Sequence, residues 1–316
     1  MTDLERAIEV LERGLVTPRR TLRQRMISHK VPGFSIALID RGALAWAKGY
    51  GVLEAGGDQV VTTETIFQAA SISKPVTAMV ACALVEAGTL DLDADVNTVL
   101  RSWQVPKSKH TQTSKVTLRG LLSHTAGLGV RGYPGYPAGA PLPTLKQILE
   151  GKSPARPKPV RVVQAPGTGF LYSGGGYMVV QQMIEDATGK PLADLARVMI
   201  FDKLGMAHST FDSLLPEATL PQAATAHRRD GEPVPGKWHI YPEQATASLW
   251  STPSDLARFV IEIPKSHAGE SNGLLSVEMA RQMLTPPPDG WYGLGFCLIE
   301  TGGPDAIPAP RLERVR

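Results

Sequence analysis

A possible nucleophile, Ser71, and a possible base, Lys74, lie three positions apart in the run Ser71-Ile72-Ser73-Lys74. The run stands where a strand-like region turns into a long apolar helix, and residues three apart on a helix share a face. A lysine takes the proton of a serine only if burial or nearby positive charge lowers its pKa. Backbone N–H groups at a helix start can also stabilise an oxyanion. The pair predicts acyl transfer through Ser71, although Ser-x-x-Lys alone is expected by chance in a chain this long.

A tyrosine on a glycine-rich segment is the second candidate. Tyr172-Ser173-Gly174 follows the turn-forming run Ala165-Pro166-Gly167-Thr168 and is followed by two further glycines, which permit close approach of the backbone to a ligand. Tyr172 is placed to share a proton with Lys74 and to relay it to a leaving group. A packed aromatic side chain beside a flexible turn is the alternative interpretation.

Histidines and missing motifs limit the other kinds of catalysis. His124 precedes a turn and is a candidate base, with a structural role as the alternative. His208, His227 and His239 lack the spacing of zinc ligands, and the sequence has no His-Glu-x-x-His run. It also lacks Gly-x-Ser-x-Gly, which argues against an α/β-hydrolase. Catalysis without a metal or cofactor is therefore expected.

Periodicity predicts the elements that position these residues. A helix is expected over Met1 to Leu22, a hairpin over residues 34–40 and 43–50, and a helix from Lys74 to Ala87 ended by Gly88. Further helices are expected over residues 116–122, 144–150, 177–187, 192–200, 254–263 and 277–284, and a strand over 291–300. This order predicts an α/β (α+β) fold. Residues 1–66 and 245–316 would form a discontinuous α/β domain, residues 67–244 an inserted, mostly helical domain, and the active site would lie at their junction.

Composition excludes several classes of function. The chain has 316 residues, 42% of them hydrophobic, and its 33 basic and 30 acidic residues give a net charge of +3, too small to indicate nucleic-acid binding. No secretory pattern and no charge-free stretch of membrane-spanning length is present, which predicts a soluble, cytoplasmic protein. Cys82 and Cys297 are expected to be buried small hydrophobes rather than a disulfide or a metal site.

Several runs together resemble the serine β-lactamase-related superfamily, with class C β-lactamases and family VIII carboxylesterases as the most similar branch and penicillin-binding proteins as wider relatives. The runs are Ser71-Ile72-Ser73-Lys74, residues 121–128 (LLSHTAGL), Pro166-Gly167 before Tyr172-Ser173, and residues 249–257 (LWSTPSDLA). The resemblance implies an antiparallel sheet flanked by helices with a helical insertion. It also implies that Ser71 is acylated, that Lys74 is its base and that Tyr172 is the catalytic tyrosine.

The chain departs from this family at two motifs. Gly174 stands where many members have asparagine, which favours ester over β-lactam hydrolysis. The family's third motif, Lys-Thr-Gly or His-x-Gly, is not found, because Glu300-Thr301-Gly302 has the wrong charge and place, and the proline-rich run from Pro304 has no strand alternation. We therefore expect a sheet lacking its last strands and one oxyanion donor fewer, at a cost of roughly 10²–10³ in rate. A truncated or frameshifted C-terminus is one explanation left open.

The sequence predicts a serine hydrolase, a carboxylesterase that cleaves short-chain esters through an acyl-enzyme. Ser71, Lys74 and Tyr172 would be catalytic, and Gly174, Tyr133 and Trp250 would contact the substrate; for the aromatic residues, core packing is the alternative. The partner would be a small ester or amide, without nucleic acid or membrane, and the oligomeric state is left open. The alternatives are a β-lactamase or D-amino-acid peptidase, and a catalytically impaired relative that binds acyl ligands.

Overall fold

The structure is a computed structural model that describes residues 21–271, 273–288 and 290–298. Helix α1, Leu22–His29, begins at Thr21, whose side chain and that of Gln24 cap each other's backbone N–H groups. The helix predicted over Met1 to Leu22 therefore lies outside the described residues, except for Thr21 and Leu22. The same holds for Glu300-Thr301-Gly302 and for the run from Pro304.

The predicted hairpin is confirmed. Strand β1, Gly33–Asp40, pairs antiparallel with β2, Ala43–Gly51, with an irregularity between Leu38 and Ile39. The two turn residues, Arg41 and Gly42, both have positive φ angles, as a tight hairpin turn requires. Within the described ranges, β2 is the only strand that pairs with β1.

A second pair of strands joins distant parts of the chain. Strand β3, Phe67–Gln68, pairs with β4, Trp250–Ser251, in the register Phe67↔Ser251. The amide of Ala69 continues the pairing by donating to the Leu249 carbonyl at 2.8 Å. This pairing brings the segment before Ser71 against the segment around residue 249.

Helices make up most of the remaining structure. They are α2 (Ser73–Glu86), α3 (Leu118–Leu122), α4 (Leu145–Glu150), α5 (Gly174–Thr188), α6 (Leu192–Ala196), α7 (Asp202–Leu204), α8 (Gln244–Ala247), α9 (Pro253–Ala268) and α10 (Val277–Met283). Short 3₁₀ turns lie at Ala70–Ile72, Val96–Thr98, Lys109–Thr111 and Glu217–Gln222. The part of the chain that is described has no helix long and apolar enough to cross a bilayer.

Helices α2 and α5 form the centre of the core, because most of their residues are buried and most of the buried side chains are apolar. Helix α9 packs against β1 and β2 and so joins the hairpin to the helices. The mixture of helices and small antiparallel sheets matches the predicted α/β (α+β) class. The division into residues 1–66 with 245–316 and residues 67–244 stays a prediction.

Several predicted boundaries are wrong for local reasons. The helix predicted from Tyr177 begins at Gly174, because the Ser173 hydroxyl caps it by accepting from the Gly176 N–H at 2.8 Å. The helix predicted over 192–200 changes to a π-helical turn at Arg197–Phe201. The helix predicted to stop at residue 263 continues to Ala268.

The predicted strand over 291–300 is also wrong as far as residue 298, where the description ends. The segment forms only an isolated bridge between Tyr292 and Cys297. The chain reverses instead, with the Gly293 amide donating to the Phe296 carbonyl at 2.8 Å and Gly295 at a φ of +93°. Cys297 is exposed by this reversal, which corrects the expectation that it is buried, whereas Cys82 is buried as expected.

Candidate active site

Ser71 lies in the 3₁₀ turn that leads into α2 and is exposed to solvent. The preceding residue, Ala70, has a φ of +44°, a left-handed conformation that is strained for a residue with a Cβ atom. The Ser73 hydroxyl holds the turn, donating to the Ala70 carbonyl at 2.6 Å and accepting from the Leu249 amide at 3.0 Å. The backbone is thus fixed in a conformation that presents Ser71 at the surface.

Lys74 lies one helical turn after Ser71 and is only 2% exposed. Its Nζ atom is 3.1 Å from Ser71 Oγ and 3.0 Å from the carbonyl oxygen of Thr246, which belongs to α8. Burial lowers the pKa of Lys74 from 10.5 to about 7. A large fraction of the amine is therefore uncharged near neutral pH and able to accept a proton.

Tyr172 completes the group around the serine. Its hydroxyl donates to Ser71 Oγ at 3.0 Å, and its ring centroid is 5.1 Å from Lys74 Nζ. The structure thus brings together all three residues that the sequence predicts to be catalytic. Their roles in a reaction remain proposals, but the arrangement has the geometry of a nucleophile in contact with a base and a proton relay.

His124 supports the loop that carries Tyr172 and does not contact Ser71 itself. Its Nδ1 accepts from the Ser173 amide at 3.1 Å, its carbonyl accepts from the Leu171 amide at 2.7 Å, and its ring lies 4.4 Å from the Tyr172 ring. Burial, with a smaller contribution from Lys74, lowers the pKa of His124 to about 3. The ring is therefore neutral near pH 7 and positions Tyr172, so the structural interpretation fits His124 better than that of a base.

Replacing His124 with phenylalanine should misplace Tyr172. The ring would remain, but the Ser173 amide would lose its acceptor, and a catalytic group displaced by about 1 Å can lose about 10²-fold in rate. We expect kcat for p-nitrophenyl butyrate to fall by about that factor with little change in KM. His124→Asn offers an acceptor and tolerates the φ of +60°, so it should recover at least tenfold. Equal rates in wild type and both variants would contradict the positioning role.

The predicted substrate contacts have different surroundings. Gly174, the first residue of α5, donates from its amide to the Arg131 carbonyl at 3.2 Å. The half-buried ring of Tyr133 lies beside it. Trp250, in contrast, is 1% exposed and packs against Trp238 with ring centroids 5.0 Å apart. Its side chain therefore belongs to the core, and its predicted contact with substrate is not supported.

Gly174 is too confined for a larger side chain. A Cβ atom there would lie 3.1 Å from Thr246 Oγ1, 3.1 Å from the Arg131 carbonyl oxygen and 3.2 Å from Tyr133 Cε2. At Gly176 in the same helix, the nearest atom to a Cβ would be 3.5 Å away. A side chain at Gly176 would thus make ordinary van der Waals contacts, whereas an asparagine side chain at Gly174 would have to displace its neighbours.

Replacing Gly174 with alanine should therefore destabilise the protein more than the same change at Gly176. Overpacking costs about 1–3 kcal/mol, and the helix gains up to about 1 kcal/mol from either substitution. We expect the free energy of unfolding, measured with urea, to be about 1–2 kcal/mol lower for Gly174→Ala than for Gly176→Ala. Equal stabilities would show that the neighbours of Gly174 adjust without cost.

The sequence did not indicate two residues near the site, Thr246 in α8 and Glu243 at its N-cap. The Thr246 carbonyl holds Lys74 through a backbone atom, which leaves no signal in the residue type. Glu243, which precedes α8, is completely buried, and burial raises its pKa to about 7. An acid between Pro242 and a four-residue helix gives no sequence pattern that would predict its burial.

A groove of about 290 Å³ lies beside the serine on the side of the hairpin. Its lining is mainly apolar and includes Phe34 from β1, Phe67 from β3, Ile72 from the serine turn and Leu256 from α9. Ile72 is 44% exposed. The groove therefore reaches the serine turn through Ala69 and Ile72, although Ser71, Lys74 and Tyr172 are not among its lining residues. In the described residues, no group of three or more His, Cys, Asp or Glu side chains could hold a metal ion.

Comparisons with known proteins show which family the chain resembles. The model of the family described as Beta-lactamase matches residues 18–305. Penicillin-binding protein 4 of Amycolatopsis lactamdurans is 30% identical over 87% of this chain and 73% of its own, and Esterase EstB of Burkholderia gladioli is 30% identical over 64% of this chain. The match spans only 51% of the esterase.

A solved structure gives the same fold. The octameric penicillin-binding protein homologue from Pyrococcus abyssi superposes with a TM-score of 0.69 at 25% identity, over 93% of this chain and 64% of that chain. The predicted fold class, a β-lactamase/transpeptidase-like arrangement of antiparallel sheet and helices, is confirmed by this match.

Proposed function

Because the chain belongs to the Beta-lactamase family, we propose that it is a carboxylesterase that hydrolyses short-chain esters through an acyl-enzyme on Ser71. The observation that carries the proposal is the convergence of Lys74 Nζ and the Tyr172 hydroxyl on Ser71 Oγ, at 3.1 and 3.0 Å. A lysine with a pKa of about 7 is able to serve as the base in this arrangement.

The proposed reaction has two halves. Ser71 Oγ attacks the carbonyl carbon while Lys74 accepts its proton, and the Ser71 amide donates to the developing oxyanion. The tetrahedral intermediate collapses when the C–O bond to the alcohol breaks. Tyr172 passes a proton to the leaving oxygen and regains one from Lys74. Water then attacks the acyl carbon and gives a proton to the same pair of side chains. The bond between the acyl carbon and Ser71 Oγ breaks as this pair returns the proton to Oγ, and the acid leaves.

Two features support a small ester as substrate. The groove of about 290 Å³ beside Ile72 is apolar and of a size for a short alkyl group. Gly174 has no side-chain amide with which to hold an acylamino group, and its neighbours at 3.1–3.2 Å leave little room for one. Hydrolysis of a β-lactam or a D-amino-acid peptide is the second candidate, supported by the 30% identical relative named Penicillin-binding protein 4. The small-molecule partner and a cytoplasmic location stay predictions.

A direct comparison of substrates tests the proposal. Purified protein is offered p-nitrophenyl butyrate and nitrocefin side by side, and a fluorophosphonate is used to label the nucleophile, with the modified peptide identified by mass spectrometry. We expect ester turnover well above nitrocefin turnover and a label on Ser71. Faster nitrocefin turnover would favour the second candidate. The absence of both turnover and label would favour a catalytically impaired relative that binds acyl ligands.

A further inference from the structure

Glu243 is a buried carboxylate for which the proposed reaction has no use. The residue is 0% exposed, and neither carboxylate oxygen has a hydrogen-bond partner in another described residue, although its own backbone N–H lowers the pKa of the carboxyl slightly against the effect of burial. The buried hydroxyl of Tyr133 is unpartnered in the same way. Buried polar atoms are nearly always hydrogen-bonded, and an unpaired buried carboxylate is costly. Three oxygen atoms in this part of the fold therefore lack a partner.

Tyrosines surround this carboxylate. Burial raises the pKa values of Tyr133, Tyr136 and Tyr241, and the charge of Glu243 contributes to the rise in all three. The backbone geometry agrees, since Tyr136 bridges to Ile240 next to Tyr241, and Tyr133 lies with Thr246 around the same Cβ position on Gly174. The described salt bridges include none to Glu243. The Arg156 guanidinium lies beside Tyr136 and donates to the Gly135 carbonyl at 2.8 Å, without a described salt bridge to Glu243. A carboxylate among aromatic rings without a paired cation is the chemistry of an ammonium-binding site.

The cluster lies next to the catalytic group. Glu243 is three residues before Thr246, whose carbonyl accepts a hydrogen bond from Lys74, so the two positions are about one helical turn apart. Tyr133 reaches from the cluster to Gly174, since its Cε2 atom is 3.2 Å from the position of a Cβ on that glycine. A ligand in contact with Glu243 would therefore also lie close to Ser71 and Lys74.

We propose that Glu243, Tyr133, Tyr136 and Tyr241 bind a primary ammonium group of the substrate, so that the preferred esters carry an amine on the acyl chain. The three N–H bonds of a primary ammonium match the three unpartnered oxygens, two from Glu243 and one from Tyr133. Tyr133 is the side chain that turns aside to admit the ligand, because it is only half-buried and a Cβ placed on the adjoining Gly132 would meet no atom within 4 Å. The proposal rests on the proposed esterase function.

A matched pair of esters tests the site. Methyl 6-aminohexanoate and methyl heptanoate have the same length and differ by an ammonium in place of a methyl group. We expect wild-type kcat/KM to be about tenfold or more higher for the amino ester, the size of a charge-assisted hydrogen bond. Glu243→Gln should abolish the preference and Tyr133→Phe should reduce it. Glu185→Gln is the control, since Glu185 is a largely buried acid that is already paired with Gln181 at 2.9 Å.

Binding to the Ser71→Ala variant separates this site from the reaction. Dissociation constants for the two uncleaved esters, measured by calorimetry, should show the same tenfold preference, which the added Glu243→Gln change should remove. Equal dissociation constants, or a preference that persists without the Glu243 charge, would overturn the ammonium site. If the wild type cleaves neither ester, the esterase proposal fails, and the dissociation constants still decide whether the site exists.

Discussion

Replacing Ser71 with alanine is expected to lower kcat/KM for p-nitrophenyl butyrate by about 10⁴-fold or more, because no acyl-enzyme can form. The removed oxygen is the one on which Lys74 Nζ and the Tyr172 hydroxyl converge. The side chain is exposed, so its loss should leave the free energy of unfolding within about 0.5 kcal/mol of wild type. The effect is measured from initial rates, and circular dichroism confirms that wild type and variant are equally folded.

Ser73 provides the control for this experiment. Its hydroxyl is buried and bonded to the Ala70 carbonyl and the Leu249 amide, so Ser73→Ala should lower stability by roughly 1–3 kcal/mol. Fluorophosphonate should still label Ser71 in that variant. If Ser71→Ala keeps wild-type turnover, or if the fluorophosphonate still labels the Ser71→Ala variant, the nucleophile is another residue.

Local patterns predicted the elements closest to the nucleophile. The hairpin of β1 and β2 follows from alternating residues around Arg41 and Gly42, and helix α2 follows from its apolar spacing before Gly88. The contact of Lys74 with Ser71 follows from the same helical spacing. The contact of Tyr172 with Ser71 spans 101 positions of the chain. The residue types made Tyr172 a candidate, and the family resemblance of the flanking motifs indicated its role as the catalytic tyrosine.

Long-range contacts account for what the sequence did not predict. The Thr246 carbonyl meets Lys74 across 172 positions and does so through the backbone, for which any residue type would serve. Trp250 was expected at the pocket wall but packs in the core, because β4 pairs with β3 and directs it onto Trp238. Glu243 likewise acts on tyrosines more than 100 positions away, since its charge raises the pKa values of Tyr133 and Tyr136.

Raising the pH should increase the activity of the wild type and decrease the stability of the Lys74→Met variant relative to the wild type. The neutral amine is the base, so kcat/KM should rise as pH passes through the Lys74 pKa of about 7. Lys74→Met should lose about 10³-fold or more in kcat/KM at pH 8, since no other base lies on Ser71 Oγ among the described side chains. An acid limb far below pH 6 would indicate that another group accepts the proton.

The same burial makes Lys74 a cost to the folded protein below pH 7. Its folded pKa of about 7 is lower than the 10.5 of an exposed lysine, so between these values the unfolded chain binds more protons. Wild-type stability therefore rises with pH across this window, by about 1.4 kcal/mol per unit from this residue alone.

Lys74→Met removes this pH-dependent cost of burying a charge. It also leaves the Thr246 carbonyl without its donor, which costs about 1–3 kcal/mol of stability. We expect the variant to be about 1–3 kcal/mol more stable than wild type at pH 6, with the difference shrinking or reversing by pH 9. Urea unfolding at both pH values measures it, with Lys146→Met on the exposed surface of α4 as the control. A pH-independent difference would show that the lysine is charged in both states.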